Sequence, residues 1–154
     1  MFTKEERKAL HSEYWLRFKS FISSSRSVNN RRINWLNYPT GLKEIYVRLD
    51  INQERASFSI DIQSKDEGIR SIIWEQFLEL KKVLENEMQI PGTWSEEVFN
   101  KAGQQISSIY WNLENVSIYN QKDEEKVFQF FKDKLVRFDR FYDVYKEILF
   151  GLIK

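Results

Sequence analysis

The sequence predicts an α+β fold: a mainly antiparallel four-stranded sheet packed by three helices, in the order α-β-β-α-β-β-α. Three observations predict it. Residues 45–51 and 58–62 alternate apolar and polar side chains and are separated by a short polar turn, as two strands of a hairpin are. Three longer stretches repeat apolar residues at helical spacing. The strands alternate instead of reading as solid apolar runs, so one sheet face is wetter, which an antiparallel sheet tolerates and a fully covered parallel sheet does not show.

The first helix is expected over about 3–23. Thr3 followed by Glu6 is a capping-box pattern, and Leu10, Tyr14, Phe18, Phe21 and Ile22 form its apolar stripe. Serines 23–25 and Asn29-Asn30 end it, because their side chains compete for backbone hydrogen bonds. Residues 26–41 are irregular and close on Pro39 and Gly41, a turn signal. In the first strand Ile45, Val47, Leu49 and Ile51 share one face. After the polar turn 52–55, Phe58, Ile60 and Ile62 form the corresponding face of the second. The implied register sets Ile51 against Ala56, Asp50 against Ser57 and Asp61 against Tyr46.

Ser64 with Glu67 reads as a second capping box. Ile69, Ile72, Ile73, Phe77, Leu80, Leu84 and Met88 then carry a single helix to about Glu87, before Pro91-Gly92 breaks the chain. Residues 94–99 are a weak strand candidate. A stronger one runs over 106–114, with Ile109, Trp111 and Leu113 on one face. The last helix is expected over about 123–150, with Asp123, Glu124 and Glu125 at its positive end and a Phe- and Tyr-rich stripe from Val127 to Leu149. About 28 positions is long for a domain of this size, so its far end, 144–153, is expected to overhang and to be buried in a homodimer.

At 154 residues the chain fits one domain, 1–154, by the usual range of about 100–200 residues per domain. It has no cysteine, which excludes thiol catalysis, Cys-ligated zinc and disulfides. The formal net charge of +1 excludes a wholly basic coat or an acidic tail. No run approaches a membrane span and the charged N-terminus has no apolar region behind it, so a cytoplasmic protein is expected. Phe, Trp and Tyr make up 16% of the residues. Most of these rings are expected in the core, because each carries a large apolar area. The single histidine, His11, lies inside the first helix and cannot build a zinc site or a triad by itself.

The blocks Asn29-Asn30-Arg31-Arg32-Ile33-Asn34-Trp35, Tyr46-Val47-Arg48-Leu49-Asp50, Phe58-Ser59-Ile60-Asp61-Ile62, Ile109-Tyr110-Trp111 and Val116-Ser117-Ile118-Tyr119-Asn120, followed by a Phe-rich terminal helix, resemble the bacterial domain-of-unknown-function family 4268. The resemblance covers nearly the whole chain. It implies no assigned activity and carries over no catalytic residue. In longer members the domain sits beside restriction-endonuclease-like modules, which implies a nucleic-acid or defence-like setting; that is an association, not a mechanism.

Three constellations compete for function. The segment 26–38 places Arg26, Arg31 and Arg32 beside Trp35 and Tyr38, the mixture of guanidinium and ring that nucleic-acid backbones and bases ask for. Charge is skewed the same way: residues 1–48 carry ten basic and four acidic side chains, residues 49–154 fourteen and nineteen. The competing reading has Trp35 anchoring the loop in the core and the arginines paired with acids of the second or third helix. The second constellation is the polar hairpin face, where Arg48 and Asp61 are diagonal neighbours; an ordinary solvated face with cross-strand pairs is the favoured reading over a binding surface. The third is a Mg²⁺-dependent nuclease of the PD-(D/E)xK type built on Asp50, Asp61 and Lys65. Its weakness is distance, since Asp50 and the Gln63-Ser64-Lys65 element lie roughly 20 Å apart in the expected register. The sequence therefore favours a non-catalytic interaction module, with Arg26, Arg31, Arg32, Trp35 and Arg48 as partner-binding residues, no cofactor, and the magnesium nuclease as the alternative.

Overall fold

The computed structural model describes residues 2–153, and its elements follow from local signals. Helix α1 (Lys4–Ile22) starts at the reciprocal Thr3–Glu6 capping box and buries Tyr14, Phe18 and Ile22. A loop with one 3₁₀ turn (Trp35–Asn37) leads to β1 (Ile45–Ile51) and β2 (Arg55–Ile62). Their antiparallel register pairs Ile51 with Ala56, Asp50 with Ser57 and Tyr46 with Asp61, as the alternation requires.

Four helices are present, not three. The expected second helix divides at Leu80 into α2 (Glu67–Glu79) and α3 (Lys81–Met88). Leu80 leaves helical geometry (φ −92°, ψ 5°), and its N–H is shared among carbonyls of the preceding turn. Phe77 before the break and Leu84 after it are both fully buried, so each helix keeps its apolar side on the core. The start also differs. Asp66 is the N-cap, accepting from the N–H groups of Gly68 and Ile69, while Ser64 accepts only from Asp66 N–H. Ile72, counted in the apolar stripe, is exposed.

After Gln89, which ends α3 in the left-handed region, the chain forms β3 (Thr93–Phe99) and β4 (Gln105–Glu114). The sheet order is β1-β2-β4-β3 and every pairing is antiparallel. A register shift between Ser95 and Val98 bends β3. A second 3₁₀ turn (Gln121–Asp123) leads into α4 (Glu124–Ile153). The order is thus α-β-β-α-α-β-β-α, with a continuous core of Ala56, Phe58, Ile60 and Ile62 against Phe138 and Tyr142 of α4, Phe77 of α2 and Leu84 of α3.

The far end of α4 does not overhang. Leu149 is fully buried, Tyr145, Leu152 and Ile153 pack on the core, and the Phe150 ring lies over Gly41, leaving Val144 and Ile148 as the exposed apolar pair. None of the described helices is long and apolar enough to cross a membrane.

Candidate functional site

The loop after α1 is tied down at both ends. Ser25 C=O accepts the Trp35 indole N–H at 3.1 Å, and Ser27 bonds across the turn to Asn30 and Arg31, with Asn30 at φ +61°. Its centre is held by a buried carboxylate. Asp139 of α4 accepts Val28 N–H at 2.7 Å and the Tyr38 hydroxyl at 2.6 Å. Burial, and then this hydrogen bond, push the Tyr38 hydroxyl well above the ordinary tyrosine range. The loop is therefore fastened to the core at Trp35, Tyr38 and the Val28 N–H, while most of its other residues stay at the surface.

Its arginines point outward. Arg26, Arg31 and Arg32 are exposed and make no ion pair with any described residue. Arg17, Arg48, Arg55, Arg70 and Arg137 by contrast each lie 2.7–3.8 Å from a carboxylate. Trp35 is 3% exposed and Tyr38 8%, so neither ring is available to stack on a base. The expectation that Trp35 binds a partner is corrected: the ring is committed to anchoring, because its apolar area gains more in the core than in water.

The outer face of the sheet closes on itself. Asp61, 6% exposed, accepts from Arg48 Nη1 at 2.8 Å and Ser108 Oγ at 2.7 Å. Arg48 donates also to Gln63 Oε1 and lies 4.5 Å from the Tyr46 ring centre. Gln63 continues the chain to Gln104 at 2.7 Å. Lys101, in the β3–β4 turn, reaches Asp50 on β1 at 3.2 Å, so the hairpin tip folds back over this face. Arg48 is thus internally compensated, unlike the three loop arginines with which the sequence groups it.

Asp50, Asp61 and Lys65 are not assembled into one site. Asp50 pairs with Ser57 across the strands, which places it four positions from Asp61. Four positions of strand span roughly 13 Å, at about 3.3 Å each. Each carboxylate already has its own cation, and Lys65 is exposed in the turn before α2. Among the described residues no group of three or more His, Asp or Glu side chains is arranged to hold a metal ion.

Two positions that hold these surfaces in place, Asp139 and Ser108, escaped sequence reasoning. Asp139 had a usable signal, since it shares a helical face with Leu135 and Tyr142 and is an acid on an apolar stripe. Ser108 had none, because its partner lies on another strand. The family model described as a domain of unknown function (DUF4268) matches residues 10–146, and the chain belongs to that family. No curated protein and no solved structure matches it.

Proposed function

We propose that this member of the DUF4268 family is a non-catalytic binding module that docks a polyanion, nucleic acid first, on the loop carrying Arg26, Arg31 and Arg32. The observation that supports this most is the contrast in pairing. Three guanidiniums within seven residues lack carboxylate partners among the described residues, on a backbone held by Trp35, Tyr38 and Asp139. Unpaired arginine gains most from phosphate, whose oxygens match its fork geometry. A loop already ordered loses little further entropy on binding. Arg48 contributes at most through long-range field, since its donors are engaged by Asp61 and Gln63.

The experiment is a titration of labelled oligonucleotide at about 50 mM salt, repeated with rising salt, where phosphate contacts weaken steeply. Binding that falls with salt and is lost in the Arg31→Ala/Arg32→Ala double variant supports the reading. No binding by the unaltered protein at low salt removes it. Magnesium is expected to leave the titration unchanged.

A further inference from the structure

Helix α4 continues the cationic surface beyond the loop. Asp139 fastens Val28 to α4. One residue on, Arg140 is exposed and pairs with no described carboxylate. Two turns earlier Lys132 sits 5.8 Å from the Phe21 ring centre, at the end of α1 from which the loop departs. The acids nearest to them on α4 are engaged or buried, while Glu147, seven residues after Arg140, is exposed and unpaired among the described residues. Asp133 is held by Lys134 and Arg137, Asp143 by Lys146, and Asp139 is buried under the loop. Lys132 and Arg140 flank a shallow groove of about 220 Å³. They stand eight residues apart on one helix, about 12 Å along its axis at about 1.5 Å per residue.

Resting on the polyanion reading above, we infer that Lys132 and Arg140 extend the loop's contact surface across α4, and that the ligand is double-stranded nucleic acid held by its phosphates. The burial of Trp35 and Tyr38 selects duplex over single strand. Single-strand binders supply exposed rings on which unstacked bases pile, and this surface offers guanidinium and ammonium groups instead. Cations carried on a helix and a fastened loop suit a stiff backbone of fixed phosphate spacing. Contacts confined to phosphate carry no base information, so binding is expected to be indifferent to sequence.

The test compares the full chain with Lys132→Gln/Arg140→Gln, using a blunt DNA duplex of about 20 base pairs and either of its strands alone as probes. Helical content by circular dichroism and thermal midpoint serve as checks that both proteins are folded. Each lost phosphate contact makes the plot of log affinity against log salt shallower by about 0.9, so the double variant is expected to flatten it by nearly two. Arg140→Glu, an exposed position, serves as a second variant and is expected to weaken binding further at low salt.

Tighter binding to duplex than to single strand, with the flattened slope, supports the inference. An unchanged slope in both α4 variants, while Arg31→Ala/Arg32→Ala still abolishes binding, overturns it and leaves the loop reading intact. Tighter binding to the single strand overturns the duplex assignment. No binding of any probe by the unaltered chain removes the loop reading and this extension together.

Discussion

Replacing Asp139 by Ala tests whether the arginine loop is held by α4. The carboxylate accepts one hydrogen bond from Val28 N–H at 2.7 Å and one from the Tyr38 hydroxyl at 2.6 Å, and it is 5% exposed. Hydrogen bonds to a charged acceptor contribute about 1.5–3 kcal/mol each, and the buried Tyr38 hydroxyl would be left without an acceptor while the Val28 N–H lies at the edge of the core. Removing a buried charge also recovers its desolvation cost, which offsets part of this. The expected net loss is about 3 kcal/mol, a fall of about 6–12 °C in midpoint for a domain of this length. Urea denaturation measures it. Tyr38→Phe keeps the ring against Phe138 and Tyr142. It removes one bond and should cost about 1.5 kcal/mol. In the double variant the two effects should overlap by about 1 kcal/mol, because they share a bond. Trypsin gives a local readout. With the anchor gone, cleavage after Arg26, Arg31 and Arg32 should accelerate at urea concentrations far below the global transition. A loss under about 0.5 kcal/mol, or strict additivity with Tyr38→Phe, would refute the strut.

Other expectations follow from the same geometry. Asp61→Ala leaves Arg48 and Ser108 without their acceptor. It should cost about 2–4 kcal/mol by urea titration. The Lys101–Asp50 pair is exposed. Lys101→Ala should therefore cost less than about 0.5 kcal/mol in the same assay. Gly41 has φ +80, and a Cβ there would come 2.9 Å from the Phe150 ring. Gly41→Ala should lose about 2 kcal/mol, because side-chain-bearing residues are strained in that region. Nothing surrounds Gly151 on α4. Gly151→Ala should be neutral or gain up to about 1 kcal/mol, and thermal melts distinguish the two. Burial raises the hydroxyl pKa of Tyr14, Tyr38 and Tyr142 above the ordinary value near 10. The folded state therefore holds protons that the unfolded chain releases. The stability they lend is complete below about pH 10 and declines as pH rises beyond it, by up to about 4 kcal/mol per pH unit for three groups. Urea midpoints across alkaline pH, with tyrosinate absorbance, measure this, and a flat profile to about pH 12 would contradict it.

Local signals made most of the architecture legible. The Thr3–Glu6 box, the alternation of 45–51 and 58–62, and the aromatic stripe of α4 each act over a few residues. The hairpin register followed from the short turn centred on Gln53 and Glu54 together with the alternation, because a slip of one residue would turn Val47 and Phe58 toward water. What sequence could not determine is which charges find partners. Arg48 and Arg31 look alike in the chain, but Arg48 meets Asp61 thirteen residues away across a strand pair, while Arg31 meets no carboxylate among the described residues. Leu80 likewise fits an unbroken helix in the periodicity, and only the fold shows the backbone leaving helical geometry there (φ −92°, ψ 5°). Trp35 and Asp139 carry the same lesson. A ring beside arginines and an acid on a helix each acquire a role only when folding brings Ser25, Val28 and Tyr38 around them, because hydrogen bonding and burial depend on distance in space and periodicity reports only distance along the chain.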